Sequence, residues 1–306
     1  MNPATPAAPP TASTIYRPRH RLDVAFAVMG AKTVSHRSGV NWWATNTPQG
    51  PVTVAFRVVA GQVRADAWGP GGDWALEQLP RLLGADDDLD GFAPHHPIVR
   101  TLSERFEAPR IGATGRWFEA MATAAIGQRV VRADAGASRT RLSLGHGAPA
   151  PGPSPIPLFP DPATILSITD HEFHAVGIER ARARVVRVAA KHAERLERLG
   201  RVAPADARSW LQKLPGVGPW TAALTTSVAG GDADAVPVGD LHIPRLGCES
   251  LGDGSAVDPA TADQRMLELL EPYSGHRQRV VRMLKLGGAG TPKHRPAPFR
   301  YDISAI

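Results

Sequence analysis

The densest chemistry in the chain lies in Leu214-Pro-Gly-Val-Gly-Pro-Trp-Thr-Ala222, followed 22 positions after Gly218 by Asp240. Gly216 and Gly218 lack a Cβ, so they tolerate positive φ and let another backbone come close. Pro219 suits the first position of a helix, where no N–H is needed. The free amides at that helix start form an anion site. A carboxylate that returns beside such a site suggests phosphate anchoring coupled to chemistry on a nucleic acid. The spacing predicts two short helices pinched around a glycine hairpin. The first runs over about 206–213 with Asp206 as its N-cap, and Pro215 and Gly216 stop it; the second runs over 219–229. The plainer alternative is an ordinary turn between two core helices.

Two further segments accompany the hairpin: Val236-Pro-Val-Gly-Asp240-Leu-His-Ile-Pro-Arg245, and upstream Trp117-Phe-Glu-Ala-Met-Ala-Thr-Ala-Ala-Ile-Gly-Gln128. Together the three resemble the helix-hairpin-helix DNA glycosylases, and within them the 3-methyladenine DNA glycosylase II branch. The resemblance covers roughly residues 97–290, and more weakly the residues before. It implies damaged double-stranded DNA as partner, with Gly216, Val217, Gly218, Trp220, Thr221, Gln128 and Arg129 on the DNA and Asp240 as the catalytic acid. It also implies a DNA wedge after the upstream Gly-Gln, at Gln128 and Arg129; Arg129 would either stack between bases or face the backbone. The family's hairpin holds a monovalent cation through main-chain carbonyls, with no side-chain metal ligand. Bifunctional relatives place a nucleophilic Lys where this chain has Trp220, and no Lys lies between Lys213 and Lys285. A covalent lyase route is therefore not expected, and the base would leave by hydrolysis, in base excision repair.

The residues themselves say what such an acid would do. Positive charge grows on the deoxyribose as its glycosidic bond lengthens. A carboxylate at about 4 Å, with an effective dielectric near 20, supplies on the order of 4 kcal/mol, or about three powers of ten in rate. Asp240 also suits an N-cap of the next helix, and the two roles are compatible. The Trp220 indole face attracts a cation by about 0.5–2 kcal/mol, which favours alkylated purines of the 3-methyladenine or 7-methylguanine type. Such bases leave readily and need no general acid. The pocket expectation is Trp220 with Leu224, Trp117, Phe118 and Tyr273; relatives carry an aromatic where this chain has Leu224, and another on the late helix, which reads Arg277-Gln-Arg-Val-Val-Arg-Met-Leu-Lys285. Rival readings are a glycosylase for deaminated or other damaged bases, and a non-catalytic hairpin DNA-binding protein.

Bulk properties bound these readings. The chain has 306 residues, a net charge of +6 and a single cysteine, Cys248, which excludes an internal disulfide framework and a four-cysteine iron–sulfur or zinc site. An isoelectric point near 10.0 fits a polyanionic partner. No apolar run reaches the roughly 18 residues that span a membrane, so a cytoplasmic monomer without cofactor is expected. The fold class expected is α+β: a small N-terminal antiparallel sheet with helices, then a mostly helical hairpin-bearing region. The boundaries are a disordered tail 1–14, an α+β domain 15–96, the glycosylase region 97–290 and a peripheral tail 291–306. Strands are predicted at 22–29, 51–59 and 62–68, followed by a helix over 73–83 that carries Pro80. Helices are predicted at 97–107, 114–133, 162–168, 170–175, 179–199, 240–251, 259–271 and 275–285 besides the hairpin pair. Residues 145–162 read as a loop. Asp170, His171 and His174 read as a solvated helix start rather than a metal site, and His95 and His96 as loop residues. The basic residues Arg180, Arg182, Arg184, Arg187, Lys191, Arg195 and Arg198 read mostly as a solvated face.

Overall fold

The computed structural model describes residues 8–106, 109–253 and 257–288; the expected tail 291–306 and most of the expected tail 1–14 lie outside them. The architecture is α+β, as expected. Five antiparallel strands are ordered β1-β5-β4-β3-β2: β1 Ala12–Tyr16, β2 Val34–Arg37, β3 Val40–Thr47, β4 Gly50–Val59 and β5 Gln62–Trp68. The β4–β5 loop is Ala60-Gly61, with φ of 50° and 75°, the paired positive values of a twist-matched two-residue hairpin. Alternation along β4 and β5 turns Val52, Val54, Phe56, Val63, Ala65 and Ala67 inward under helix Gly72–Leu82, which packs Ala75, Leu79 and Leu82 on them.

Fourteen helices occur among the described residues: α1 Val24–Ala27, α2 Gly72–Leu82, α3 Pro97–Phe106, α4 Trp117–Ile126, α5 Arg132–His146, α6 Pro162–Ser167, α7 Asp170–Ala175, α8 Arg180–Lys191, α9 Ala193–Glu197, α10 Pro204–Leu211, α11 Pro219–Ala229, α12 Ile243–Leu251, α13 Ala262–Leu270 and α14 Arg277–Gly287. They form two further cores. One gathers α4, α8, α10 and α11 around Met121, Val186, Leu211 and Ala222. The other joins α3, α12, α13 and α14 and takes in Phe26 and Ile111 from outside those helices.

Several expectations needed correction. Residues 22–29 form helix α1 instead of a strand, because Asp23 caps it, its Oδ1 accepting from Phe26 N at 2.9 Å; this local bond outweighs the β-branched composition. Residues 12–14 are part of β1: the β5 edge offers unpaired backbone groups, and Ala12 to Tyr16 take them in register with Ala67 to Val63. Strands β2 and β3 had not been expected. The single helix expected over 114–133 stops at Ile126 and restarts as α5, whose few apolar residues hid it from periodicity. The span 179–199 divides into α8 and α9 at His192. Helix α10 starts two residues early, at Pro204, so Asp206 sits in its first turn and is not the cap.

Helix α14 ties these parts together through two buried arginines. The Arg279 guanidinium donates to both Asp87 carboxylate oxygens at 2.6 and 2.9 Å, and to the carbonyls of Pro109 and Asp88 at 2.6 and 2.8 Å. Arg282 donates to the carbonyls of Phe26 and Ala27 and to Ser227. Removing the counter-charge strands a buried cation, so Asp87→Ala should cost about 3–5 kcal/mol, measured by urea denaturation.

Candidate active site

The hairpin forms as its glycines require. Val217 N donates to Leu214 O at 3.1 Å, closing the turn, and buried Leu214 and Val217 fasten it to the core. Val217 can thus offer a ligand only its main chain. Gly216 has φ +80°, and a Cβ there would lie 2.5 Å from Val185 Cγ2 on α8. Gly218 is extended and exposed, and a Cβ there would meet nothing within 4 Å. Helix α11 starts at Pro219, so the next amides, Trp220 and Thr221, lie in the first turn and have no intrahelical acceptor. Arg182, expected on the solvated face of α8, is buried and donates to Ile126 O at 2.9 Å and Gly177 O at 3.0 Å. It holds α8 against the end of α4.

Gln128, just beyond α4, donates through Nε2 to Gly216 O at 2.9 Å and Thr221 Oγ1 at 2.8 Å. Its amide braces the hairpin. Arg129 is exposed at φ 55°, a conformation costing a non-glycine residue about 1–2 kcal/mol. The two expected wedge residues therefore divide: Gln128 is half-buried and bonded to the hairpin, and Arg129 is exposed in the α4–α5 turn.

Asp240 comes back to the hairpin along a pinned segment. Asp232 N donates to Thr226 O at 3.2 Å, and the Asp232 carboxylate pairs with Arg208 of α10. Asp234 accepts from Arg277 Nε at 2.7 Å. Gly239, at φ +84°, donates its N–H to the Asp263 carboxylate. Asp240 Oδ1 then accepts from His242 N and Ile243 N at 2.9 and 3.0 Å, leading into α12, while Oδ2 accepts from Trp220 Nε1 at 2.9 Å. Capping and a site position coincide in one carboxylate, half-buried and held in a single orientation.

The indole of Trp220 is half-buried and lies over Gly127. Leu224 follows one turn later on the same face, also half-buried. The other pocket candidates lie elsewhere. Trp117 and Phe118 are buried at the start of α4, Trp117 against Gly200 and Gly230 and Phe118 against Phe159. That is about 15 Å of helix away from Gln128. Tyr273 is buried in the short 3-10 turn Glu271–Tyr273 that precedes α14, its hydroxyl 2.9 Å from His96 N and 2.7 Å from His96 Nδ1. All three pack the core because large rings bury the most apolar surface. Among the described residues no three His, Cys, Asp or Glu side chains converge as metal ligands, and no helix is long and apolar enough to cross a membrane. His171 and His174 lie on α7, which Thr169 and Glu172 cap reciprocally.

Lys285 lies within electrostatic reach of Asp240, and Lys32 within reach of Lys285. Burial pushes the Lys32 ammonium down to about 8, with Arg132, Arg139 and Lys285 adding like-charge repulsion. Lys285 is shifted down in the same way, first by burial and then by Arg132 and Arg282, with the Asp240 carboxylate opposing. Neither lysine belongs to the sequence motifs. Gly216→Ala should lower stability by about 1–3 kcal/mol, from positive φ and the Val185 contact, whereas Gly218→Ala should change it by less than about 0.5 kcal/mol; urea unfolding of the two variants checks the contrast.

No protein-family model matches the chain, and no curated protein matches it by sequence. Solved structures do match. The 3-methyladenine DNA glycosylase from Archaeoglobus fulgidus superposes with a TM-score of 0.72 at 20% identity, over 89% of this chain and 97% of that one. An 8-oxoguanine glycosylase/lyase from Clostridium acetobutylicum, in complex with double-stranded DNA, gives 0.69 at 14% identity over 93% and 98%. A 3-methyladenine DNA glycosylase from Schizosaccharomyces pombe, in complex with abasic DNA, gives 0.52 at 16% identity over 64% and 94%. With its glycine hairpin, its returning acid and its N-terminal sheet, the chain has the fold of the helix-hairpin-helix DNA glycosylases.

Proposed function

We propose that this protein is a monofunctional DNA glycosylase of base excision repair, flipping a damaged purine out of duplex DNA and hydrolysing its N-glycosidic bond. The observation that carries this is the bond from Trp220 Nε1 to Asp240 Oδ2. It sets a fixed carboxylate at the mouth of an amide-rich hairpin, where a phosphate-anchored nucleotide would present its sugar. Chemistry on a base needs that base outside the stack. The exposed turn at Gly216 and Gly218 and the first-turn amides of α11 would hold the backbone, while Arg129 would enter the gap.

Asp240 would stabilise the cationic sugar as the bond breaks and direct a water to C1′. Its three N–H donors fix its direction before the reaction starts, so no reorganisation is needed at the transition state. A protein that only bound DNA would gain nothing from a carboxylate facing a polyanion. Alkylated purines suit the site best: they are good leaving groups, and Trp220 and Leu224 give one aromatic and one aliphatic wall. The monovalent cation implied by the family resemblance would sit on the turn carbonyls. Leu214 O and Gly216 O each accept one hydrogen bond and keep a second lone pair. No step runs through that ion.

Asp240→Asn removes the charge and turns an amide N–H toward either Trp220 or the α12 amides. Release of methylated purines from alkylated duplex DNA should fall by about 10³-fold, while affinity for the same duplex is kept. Full release by the variant would overturn the assignment. Trp220→Phe keeps a ring but loses the orienting N–H, and single-turnover release should fall by about 10-fold.

A further inference from the structure

Helix α8 backs the hairpin and carries a second cationic surface. Its Val185 packs on the turn, where a Cβ on Gly216 would lie 2.5 Å from Val185 Cγ2. Its Arg182 bonds Ile126 O at the end of α4, just before the turn that carries Arg129. Steps of four, three and four residues separate Arg180, Arg184, Arg187 and Lys191. At about 100° per residue these four fall within about 60° of one another, and Val185 lies about 130° round from their centre. The cationic stripe and the hairpin therefore occupy two sides of one helix, about 10 Å apart.

With Val188 and Asp170 the four cations line a solvent-open recess of about 230 Å³. That is several times the roughly 30 Å³ share of one water, so the recess admits a phosphate group. Asp170, at the start of α7, is the one carboxylate in this lining. It accepts from Arg187 Nη1 at 2.6 Å and pairs with Arg180 Nε at 3.2 Å. Arg187 also donates to Ile168 O at 2.8 Å and lies 4.8 Å over the Phe173 ring. These bonds aim two guanidinium groups yet leave the recess strongly positive. Arg184 and Lys191 are exposed and have no ion-pair partner among the described residues. From Arg180 to Lys191 the stripe runs about 16 Å, a length over which one strand of B-DNA presents about five phosphates. A line of charge suits a linear polyanion better than a compact ion. Its distance from the hairpin, with the reach of the side chains, suits two backbones that flank a minor groove about 6 Å wide.

We propose that Arg180, Arg184, Arg187 and Lys191 bind the phosphodiester backbone of the undamaged strand, while the hairpin holds the strand that carries the lesion. This rests on the glycosylase reading, which supplies the duplex and assigns its damaged strand to the hairpin. The consequence is selectivity. A damaged strand without its complement leaves the stripe empty, so the protein favours duplex over single-stranded DNA.

The test measures binding of the full chain to an oligonucleotide carrying one 7-methylguanine, alone or annealed to its complement. The unaltered protein should bind the duplex more tightly by about 10-fold or more. Arg184→Gln combined with Lys191→Gln should weaken duplex binding about 10-fold and lower the salt slope by about two, while single-strand binding changes by less than about 2-fold. Both side chains are exposed, so thermal unfolding should be unaltered. Methylphosphonates, which remove phosphate charge, locate the strand. Placed in the complement, they should weaken binding by the unaltered protein and change that of the double variant little. Equal losses on duplex and single strand, an unchanged salt slope, or sensitivity confined to methylphosphonates in the damaged strand overturns the inference. Base release from the same duplex separates the two readings. Release without a stripe-dependent duplex preference overturns the strand assignment alone; no release overturns the glycosylase reading, with the methylphosphonate pattern still deciding the strand.

Discussion

Two guanidinium groups buried on α14 hold this molecule together. Arg279 is fully enclosed and is satisfied by Asp87 and two backbone carbonyls, while Arg282 bridges α1 to α11. Burial pushes the Arg282 guanidinium down to about 10, because an enclosed site disfavours the charged form. Such groups persist only where their donors are paired. That requirement dictates the geometry around them. The carbonyls that pair them come from the N-terminal region and from the loops beside α2 and α3, so α14 cannot dock without drawing the sheet-bearing part against the helices.

Within this frame the acid is held by geometry. Its two oxygens receive N–H groups from three residues on two elements, Trp220 on α11 and His242 and Ile243 leading into α12. The bond that joins these elements also sets the carboxylate's direction. Gln128 performs the matching task at the other side of the hairpin, tying the end of α4 to Gly216 and Thr221. A polar side chain near an expected wedge thus works as a brace, and Arg129 beside it adopts a left-handed backbone that turns the chain out of α4 and into α5.

Local rules accounted for much of this. Gly216, Gly218 and Pro219 have a backbone meaning that context rarely changes, so the hairpin and the start of α11 were legible. Strands β4 and β5 and most late helices followed from periodicity. Errors arose where a nonlocal partner or one capping bond outweighed composition. Asp23 made a helix of a strand-like run, the open edge of β5 recruited residues 12–16, and sparse apolar residues concealed α5. The expected pocket aromatics, which the structure buries, turn on a related point. Trp117, Phe118 and Tyr273 have the right chemistry, but residue type does not say whether a ring lines a cleft or fills a core.

By itself, the sequence determined the glycine turn, the helix that follows it, the acid returning 22 residues after Gly218 and the absence of a lysine on the hairpin helix. These are properties of short segments, set by φ, by missing N–H groups and by spacing. Only the tertiary structure decided what surrounds the acid. Arg282 joins the α14 helix that carries Lys285 to Ser227 of α11 and to the carbonyls of Phe26 and Ala27, just before the turn that carries Lys32. These bonds pair a buried arginine with carbonyls as far away as 256 residues in the chain. No local pattern encodes a contact of that range, because the burial that forces it exists only once the whole chain has packed.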